Sequence, residues 1–326
     1  MRMPALLRDD PHVRPLILLV LVVVLLSALD AGQGRFLSTA TAFTTFEMFG
    51  DTGLVALGLG LTMMIREFDL SVVGIFSAAG CIAVLTGGTD PWIGLGLALA
   101  VGLLAGLVQG WLIVWLRLGS IGVTLGGMLV CSGVAYVLSE NRTLPYDNIQ
   151  VALTLTQPIA AFLSIRSLLT LAMFAVAAFV IGKTRIGRDL VAIGSERRAA
   201  VIAGVNVDAM IVGIFAFSGT MAALAGVLVA YSLASASPAG LSDVIVPAAT
   251  AAILGGVSLS GGTGRPLGIA LGMLVLGVLH AGFNALGAPP YVNEIAMGAV
   301  LLAVAVADGP HLLRRVRMAT RLISPR

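Results

Sequence analysis

GKTRIGRDLVAIGSERRAAVIAGVNVD, residues 182–208, separates two long apolar runs and carries five basic residues, Lys183, Arg185, Arg188, Arg197 and Arg198. A segment this charged does not cross a hydrocarbon core. The runs beside it, 158–181 and 209–233, each hold the roughly 20 mainly apolar residues that a helix rising about 1.5 Å per residue needs to span about 30 Å. Residues 182–208 are therefore expected to be a loop between two membrane helices, and the side this loop takes sets the direction of both. Counting outward, further apolar runs occur at 16–29, 43–64, 71–87, 92–116, 121–138, 243–259, 267–286 and 291–307. The sequence predicts an all-α fold, a polytopic transmembrane helical bundle of about ten spans.

Composition leads to the same class. Of 326 residues 58% are hydrophobic and 11% charged, with a mean hydropathy of +1.04, whereas about a quarter of an average soluble domain is charged. With ten spans starting inside, 16 of the 19 Lys and Arg residues lie on the cytoplasmic side, and Arg35, Arg142 and Arg166 lie outside. The reverse orientation inverts that ratio, so the excess of inward positive charge selects the first. The N-terminus and C-terminus are then both cytoplasmic. Residues 1–15 form an N-terminal tail, 16–307 the membrane domain, and 308–326 a basic C-terminal tail. The 182–208 loop is cytoplasmic and 139–157, with Glu140, Arg142 and Asp147, is an extracytoplasmic loop. The first run follows Arg2, Arg8 and Arg14 and precedes no small-residue cleavage site, so it reads as a retained span.

Several chemistries are disfavoured by the residues themselves. Lys183 and Thr184 follow Gly182 as at the end of a phosphate-binding loop, but the first glycine of that motif would fall at Ala177, within a span. H-E-x-x-H, clustered Cys and His, and G-x-S-x-G are absent from the sequence, and His12, His280 and His311 are far apart. The chain therefore reads as no enzyme, with no cofactor and no metal of its own. Cys81 and Cys131 fall inside spans and read as small apolar residues. The basic residues are dispersed between apolar runs, which argues against nucleic acid as a partner.

Polar groups inside the spans are few. His280 lies in the ninth run, where an ionisable group is costly and marks a functional candidate; an imidazole hydrogen-bonded to a neighbouring helix is the alternative. Glu47 and Asp51, four residues apart in the second run, share one helix face. A charge near the membrane centre costs about 2.5–3.5 kcal/mol on insertion scales, so this pair should face the bundle interior or an aqueous mouth. There it either hydrogen-bonds a hydroxylated solute or is solvated at the headgroup level. Asp69 and Ser71 are expected to cap the third span.

Glycine is abundant, with 40 residues. Small residues four apart let membrane helices approach closely, as at Gly102, Gly106 and Gly110, at Gly122 and Gly126, and at Gly268 and Gly272. The stretch GGVSLSGGTGRPLG, 255–268, is too glycine-rich for an ordinary helix. It should be buried in protein or line a wet cavity, which makes Gly255, Gly256, Gly261 and Gly262 candidates for packing or gating.

Within the basic loop, Glu196 to Ala203 is compatible with a short helix, charged on one side and apolar on the other, suited to docking on a soluble partner. Thr184, Gly187 and Arg188, then Ala192 and Gly194, then Ala199, Ala200 and Gly204 resemble the T-x-x-G-R … A-x-G … A-A … G loop of ribose-type sugar permeases of bacterial ABC importers. This family is related to the branched-chain amino-acid permeases. Glu196 with the paired alanines also looks like the E-A-A coupling segment of ABC permeases. Asp69 to Val72 (DLSV), Ala105 to Gly110, Thr124 to Met128 (TLGGM) and Gly255 to Gly264 are similar to the same family, so the resemblance spans about 45–308. The chain departs from it in three places. Arg66, Glu67, Phe68 and an extra Val73 disturb G-G-I-D-L-S-V-G, Gln109 stands where Asn is usual, and Ile245 and Pro247 replace an acidic pair, with Asp243 two residues too early.

The resemblance implies a permease subunit of the bacterial plasma (inner) membrane that works with a second permease subunit, an extracytoplasmic solute-binding protein and separate ABC ATPase subunits that use ATP. Gly187, Arg188, Gly194, Glu196, Arg197, Ala199, Ala200 and Gly204 would form its ATPase-coupling loop. Glu47, Asp51, Gln109 and His280 are candidates for the translocation path. The DLSV and glycine-rich segments lean towards a sugar, with branched-chain amino acids, or an ion-coupled secondary transporter, as the alternatives.

Overall fold

Four side chains and two prolines set where the apolar chain turns into helices. Ser38 accepts from the Thr41 amide at 3.2 Å, Asp90 from Trp92 at 2.9 Å, Ser164 from Ser167 at 3.3 Å and Asn206 from Ala209 at 3.1 Å. Each meets an amide that has no partner within its helix. Pro91 and Pro266 stand at helix starts, where a missing amide hydrogen costs nothing.

The computed structural model describes residues 13–240 and 244–303, with residue 306. Residues 1–12 of the N-terminal tail, Asp243 and the C-terminal tail 308–326 lie outside the described residues. In chain order the elements are α1 (Val13–Leu29), α2 (Thr39–Met64), α3 (Val72–Thr86), α4 (Pro91–Leu116), α5 (Ser120–Ser139), β1 (Leu144–Pro145), α6 (Ile149–Thr156), α7 (Ile165–Lys183), α8 (Arg185–Ser195), α9 (Arg197–Ile202), α10 (Val207–Ser232), β2 (Ser235–Ala236), α11 (Ile245–Leu254) and α12 (Pro266–Ala285), followed by α13 (Pro290–Ala303). The chain is thus mostly helical. Among the described residues five helices, α4, α5, α7, α10 and α12, are long and apolar enough to cross a membrane.

That number is smaller than the ten apolar runs. Helices α1, α3, α11 and α13 are shorter, and α2 has 26 residues but carries Glu47, Asp51 and several threonines. Other boundaries differ for local reasons. The run 158–181 starts its helix only at Ile165. Before it Ile159 and Leu163 exchange backbone hydrogen bonds in a tight bend, and Ser164 with Ser167 then forms a reciprocal cap. The 139–157 loop contains a helix, α6. The run 243–259 stops being helical at Leu254, where Gly255 and Gly256 follow.

Helix α10 is the centre. Of its most apolar 18-residue window 72% is buried, against 11% for α5, so α10 is an interior helix and α5 a peripheral one. Small residues bring α10 against three neighbours. A Cβ on Gly226 would run into the Phe76 carbonyl of α3, one on Gly219 into the Gly102 carbonyl of α4, and one on Gly58 of α2 would crowd Ser218. Helix α12 is applied to α2, with Gly60 under Ile269, and to α11, where Gly255 and Gly268 touch backbone to backbone. In lipid, which offers no hydrophobic gain for bringing helices together, such close contacts supply the attraction.

One end of the bundle is tied across the chain. β1 and β2 pair antiparallel, Leu144 with Ala236 and Pro145 with Ser235. Tyr146 donates its hydroxyl to the Gly87 carbonyl at 3.0 Å and stacks on Tyr231 with ring centroids 4.6 Å apart. Tyr231 in turn donates to the Pro91 carbonyl at 2.9 Å. Helices α3, α4 and α10 are pinned together there.

Candidate functional site

At the opposite end, helices α8 and α9 form an elbow that rests on the end of α2 and on the glycine-rich turn before α12. Leu190 and Ile193 anchor α8 with almost no exposure. Gly187 lets α8 fold back on α7, since a Cβ there would strike the Ile181 carbonyl. Gly194 lies against the Met64 carbonyl and the Gly262 amide, and Gly262 against Ser195. The Gly262 amide donates to the Met64 carbonyl at 2.9 Å. Gly261 and Gly262 have φ of +71° and +77°, a conformation open to glycine with little strain. The turn and the elbow, more than 60 residues apart in sequence, thus meet at glycines.

The remaining loop residues separate by face. Glu196 caps α9 by accepting from the Arg198 amide at 3.4 Å. Ala200 is buried, whereas Glu196, Arg197 and Ala199 are exposed. Gly204, with φ +82°, ends α9, and the next amide, Val205, returns to the Ala200 carbonyl at 3.0 Å, a left-handed helix stop. Arg188 and Arg265 line a cavity of about 510 Å³ between α7, α8 and the start of α12.

The turn between α2 and α3 grips this elbow. Arg66 donates to the Ser195 carbonyl at 2.5 Å, and Glu67 pairs with Arg197 at 2.5 Å. Asp69 is fully buried; its carboxyl accepts from the Ser71 amide at 3.0 Å, from the Ser71 hydroxyl at 2.5 Å and from Ser218 of α10 at 2.7 Å. The expectation of a simple cap at α3 is corrected here: Ser71 makes no side-chain bond to the helix, and Asp69 uses its second oxygen to reach α10.

A second polar group lies towards the tied end. Arg166, on the first turn of α7, forms ion pairs with Glu47 and, at 2.5 Å, with Asp51, and donates to Ser232 at 2.7 Å. Ser164 donates to Glu47. The carboxylates on the shared α2 face are therefore joined to a cation that the sequence reading counted on the outer side, within the run 158–181. Arg166 is 6% exposed at its side chain and Asp51 32%, so the cluster runs from the interior to the surface. The other two path candidates are elsewhere. Gln109 is buried on α4 against Gly127 of α5, its Oε1 without a partner among the described residues. His280 lies 3.0 Å from Asn284 on its own helix, and Asn284 accepts from Asn293 of α13 at 3.3 Å. The expected tie from His280 to a neighbouring helix is thus indirect.

Gly102, Gly106 and Gly110 line the α4 crossing with α10, at Gly219, Phe215 and Val212. Gly255 packs on Gly268, and Gly256, with φ +87°, begins the turn after α11. Gly122 and Gly126 have no atom within 4 Å of a would-be Cβ, so they face outward and do not serve the packing within this chain. Sequence reasoning missed Glu67, Ser218 and the role of Arg166. A basic and an acidic residue, Arg66 and Glu67, one residue ahead of DLS were the available signal for the first, and a lone arginine after Ser164 at the head of an apolar helix for the last.

Comparison with known proteins covers nearly the whole chain. Residues 41–305 match the family described as branched-chain amino acid transport system / permease component. Among curated relatives, the chain is 31% identical to the autoinducer 2 import system permease protein LsrC of Photorhabdus luminescens, over 98% of this chain and 94% of that one. It is 32% identical to the L-arabinose transport system permease protein AraH of Escherichia coli K12, over 79% of each. No solved structure matches. The chain belongs to the family of permease components typified by branched-chain amino acid transport systems.

Proposed function

We propose that this chain is the membrane-spanning permease subunit of an ATP-driven importer in the bacterial inner membrane, and that its cargo is a sugar or sugar-like solute. The α8–α9 elbow carries this reading. Val201 and Ile202 stand out from α9, Ile202 with 88% exposure, beside Arg198, while the elbow's base is fixed on α2 and the glycine-rich turn. Exposed apolar side chains on a short helix are suited to docking on a soluble partner, here separate ATPase subunits that hydrolyse ATP. An extracytoplasmic binding protein delivers the solute, and a second permease subunit completes the path.

In this reading α1, α2, α3, α11 and α13 join the five long helices as spans, giving ten with both termini cytoplasmic, an orientation that the distribution of basic residues supports. Relatives named for autoinducer 2 and L-arabinose support a polyhydroxylated cargo. The Glu47, Asp51 and Arg166 cluster supplies acceptors and donors for hydroxyls at one end of the path. The description of the family favours a second reading, branched-chain amino acids.

The test is reconstitution with the ATPase and the binding protein in liposomes, measuring uptake of labelled L-arabinose, other sugars and leucine. Uptake should require ATP and both partners, and replacing Gly194 by Val or Glu196 by Ala should lower it. Leucine uptake alone would select the second cargo. Uptake by the permease on an ion gradient, without ATPase, would overturn the proposal.

A further inference from the structure

The seven residues 65–71, IREFDLS, are held from three directions at once. On one side Arg66 binds the Ser195 carbonyl and Glu67 pairs with Arg197, both at the α8–α9 junction. On the second, the Phe68 backbone is held by α5. Its amide donates to the Ser120 hydroxyl at 3.1 Å and its carbonyl accepts from the Thr124 hydroxyl at 3.1 Å. On the third, Asp69 accepts from Ser218, eleven residues into α10. Thr124, Asp69 and Ser218 are fully buried.

These contacts connect parts that the chain itself does not. The elbow is joined covalently to α7 and, through Gly204, to α10, but no covalent neighbour leads from it to α5 or α3. The α2–α3 turn supplies that connection. We propose that this turn is a relay in which Glu67, through Arg197, takes up displacement of the elbow and Phe68 and Asp69 pass it to α5 and α10. The proposal rests on the reading of α8–α9 as the ATPase-docking elbow. Its input residues, Arg66 and Glu67, bind the α8–α9 junction directly.

The energetic character of the links allows a relay to be told from a structural brace. At their side chains Arg197 is 46% exposed and Glu67 10%, so neutralising Glu67 removes the less exposed charge and leaves a solvated Arg197 rather than a buried unpaired one, at little cost to folding. Breaking the ion pair should leave the protein folded while altering how far ATP hydrolysis moves the helices. Phe68 is held through backbone groups, so its links depend on the Ser120 and Thr124 hydroxyls and can be cut at α5 without touching the turn.

The experiment uses the full complex in liposomes and reads the number of solute molecules taken up per ATP hydrolysed, with thermal stability of each purified variant as a control. Glu67→Gln should lower uptake per ATP by about fivefold or more, in the range of ordinary coupling energies, with the melting temperature unchanged. The exchange Glu67→Arg with Arg197→Glu should restore it to within about twofold, because coupling between contacting residues is recovered when the pair is reversed. Thr124→Val should lower the ratio in the same direction. Wild-type ratios in Glu67→Gln and Thr124→Val would overturn the relay while leaving the permease reading intact. A loss in Glu67→Gln that the exchange fails to recover would also overturn it. A wild-type complex that pumps nothing on ATP would overturn the permease reading, and the relay with it.

Discussion

Without the Arg166 guanidinium, Glu47 and Asp51 would be left one helical turn apart on α2 with no counter-charge. Removing one partner of a buried ion pair costs about 3–5 kcal/mol, more than the pair itself contributes over an apolar replacement. We expect Arg166→Leu to lower the melting temperature of the detergent-purified protein sharply, and Arg166→Met combined with Glu47→Gln and Asp51→Asn to recover most of it. Equal stability of the single variant and wild type would exclude a structural role for the cluster. The two carboxylates were legible from their spacing, since residues four apart share a helix face. Their partner was not, because the pairing joins residues more than 110 apart and charge counting assigns every arginine near a span to water. Asp69 illustrates the same limit. Its position before α3 suggested a cap, and only the packing of α10 shows where the second oxygen goes.

The glycines act at the level of elements. Gly102 and Gly106 of α4 face the backbone of α10, so Gly106→Ala forces the helices apart at a cost of about 1–3 kcal/mol. Gly122→Ala and Gly126→Ala on α5 meet nothing and should change stability by no more than about 0.5 kcal/mol. Thermal unfolding of the three single variants checks the contrast, and equal losses in α4 and α5 would contradict the packing described. The i, i+4 pattern was visible in both helices from the sequence. Which ridge is covered was not, because that depends on where α10 lies. Helix α8 was also hidden, since its eleven residues lie within a loop whose charge masked the buried Leu190 and Ile193. By contrast α9 fell within one residue of the expected stretch, marked by a capping Glu196 and a terminating Gly204.

For the whole molecule, the proposed orientation predicts which surfaces a reagent can reach. In a background of Cys81→Ala and Cys131→Ala, Asp147→Cys should react with a membrane-impermeant maleimide in intact cells, and Ala199→Cys only after the membrane is opened. The reverse pattern would invert the topology. Hydropathy made the membrane class readable, and the placement of charge supplies the proposed direction. The order of contacts around α10, and the joining of the elbow to the α2–α3 turn and the glycine-rich turn, arise from packing between segments far apart in the chain. The strand pair and stacked tyrosines near Gly87 and Pro91 have a mechanical consequence. One end of α3, α4 and α10 is fastened by backbone pairing and aromatic stacking, while towards the other α3 and α10 are clipped by side chains, Asp69 to Ser218. If the elbow is pushed as proposed, these helices would turn as levers about a fulcrum at Tyr146 and Tyr231. Displacement would grow with distance from the fulcrum, so one stroke would move the far end most and the pinned end least.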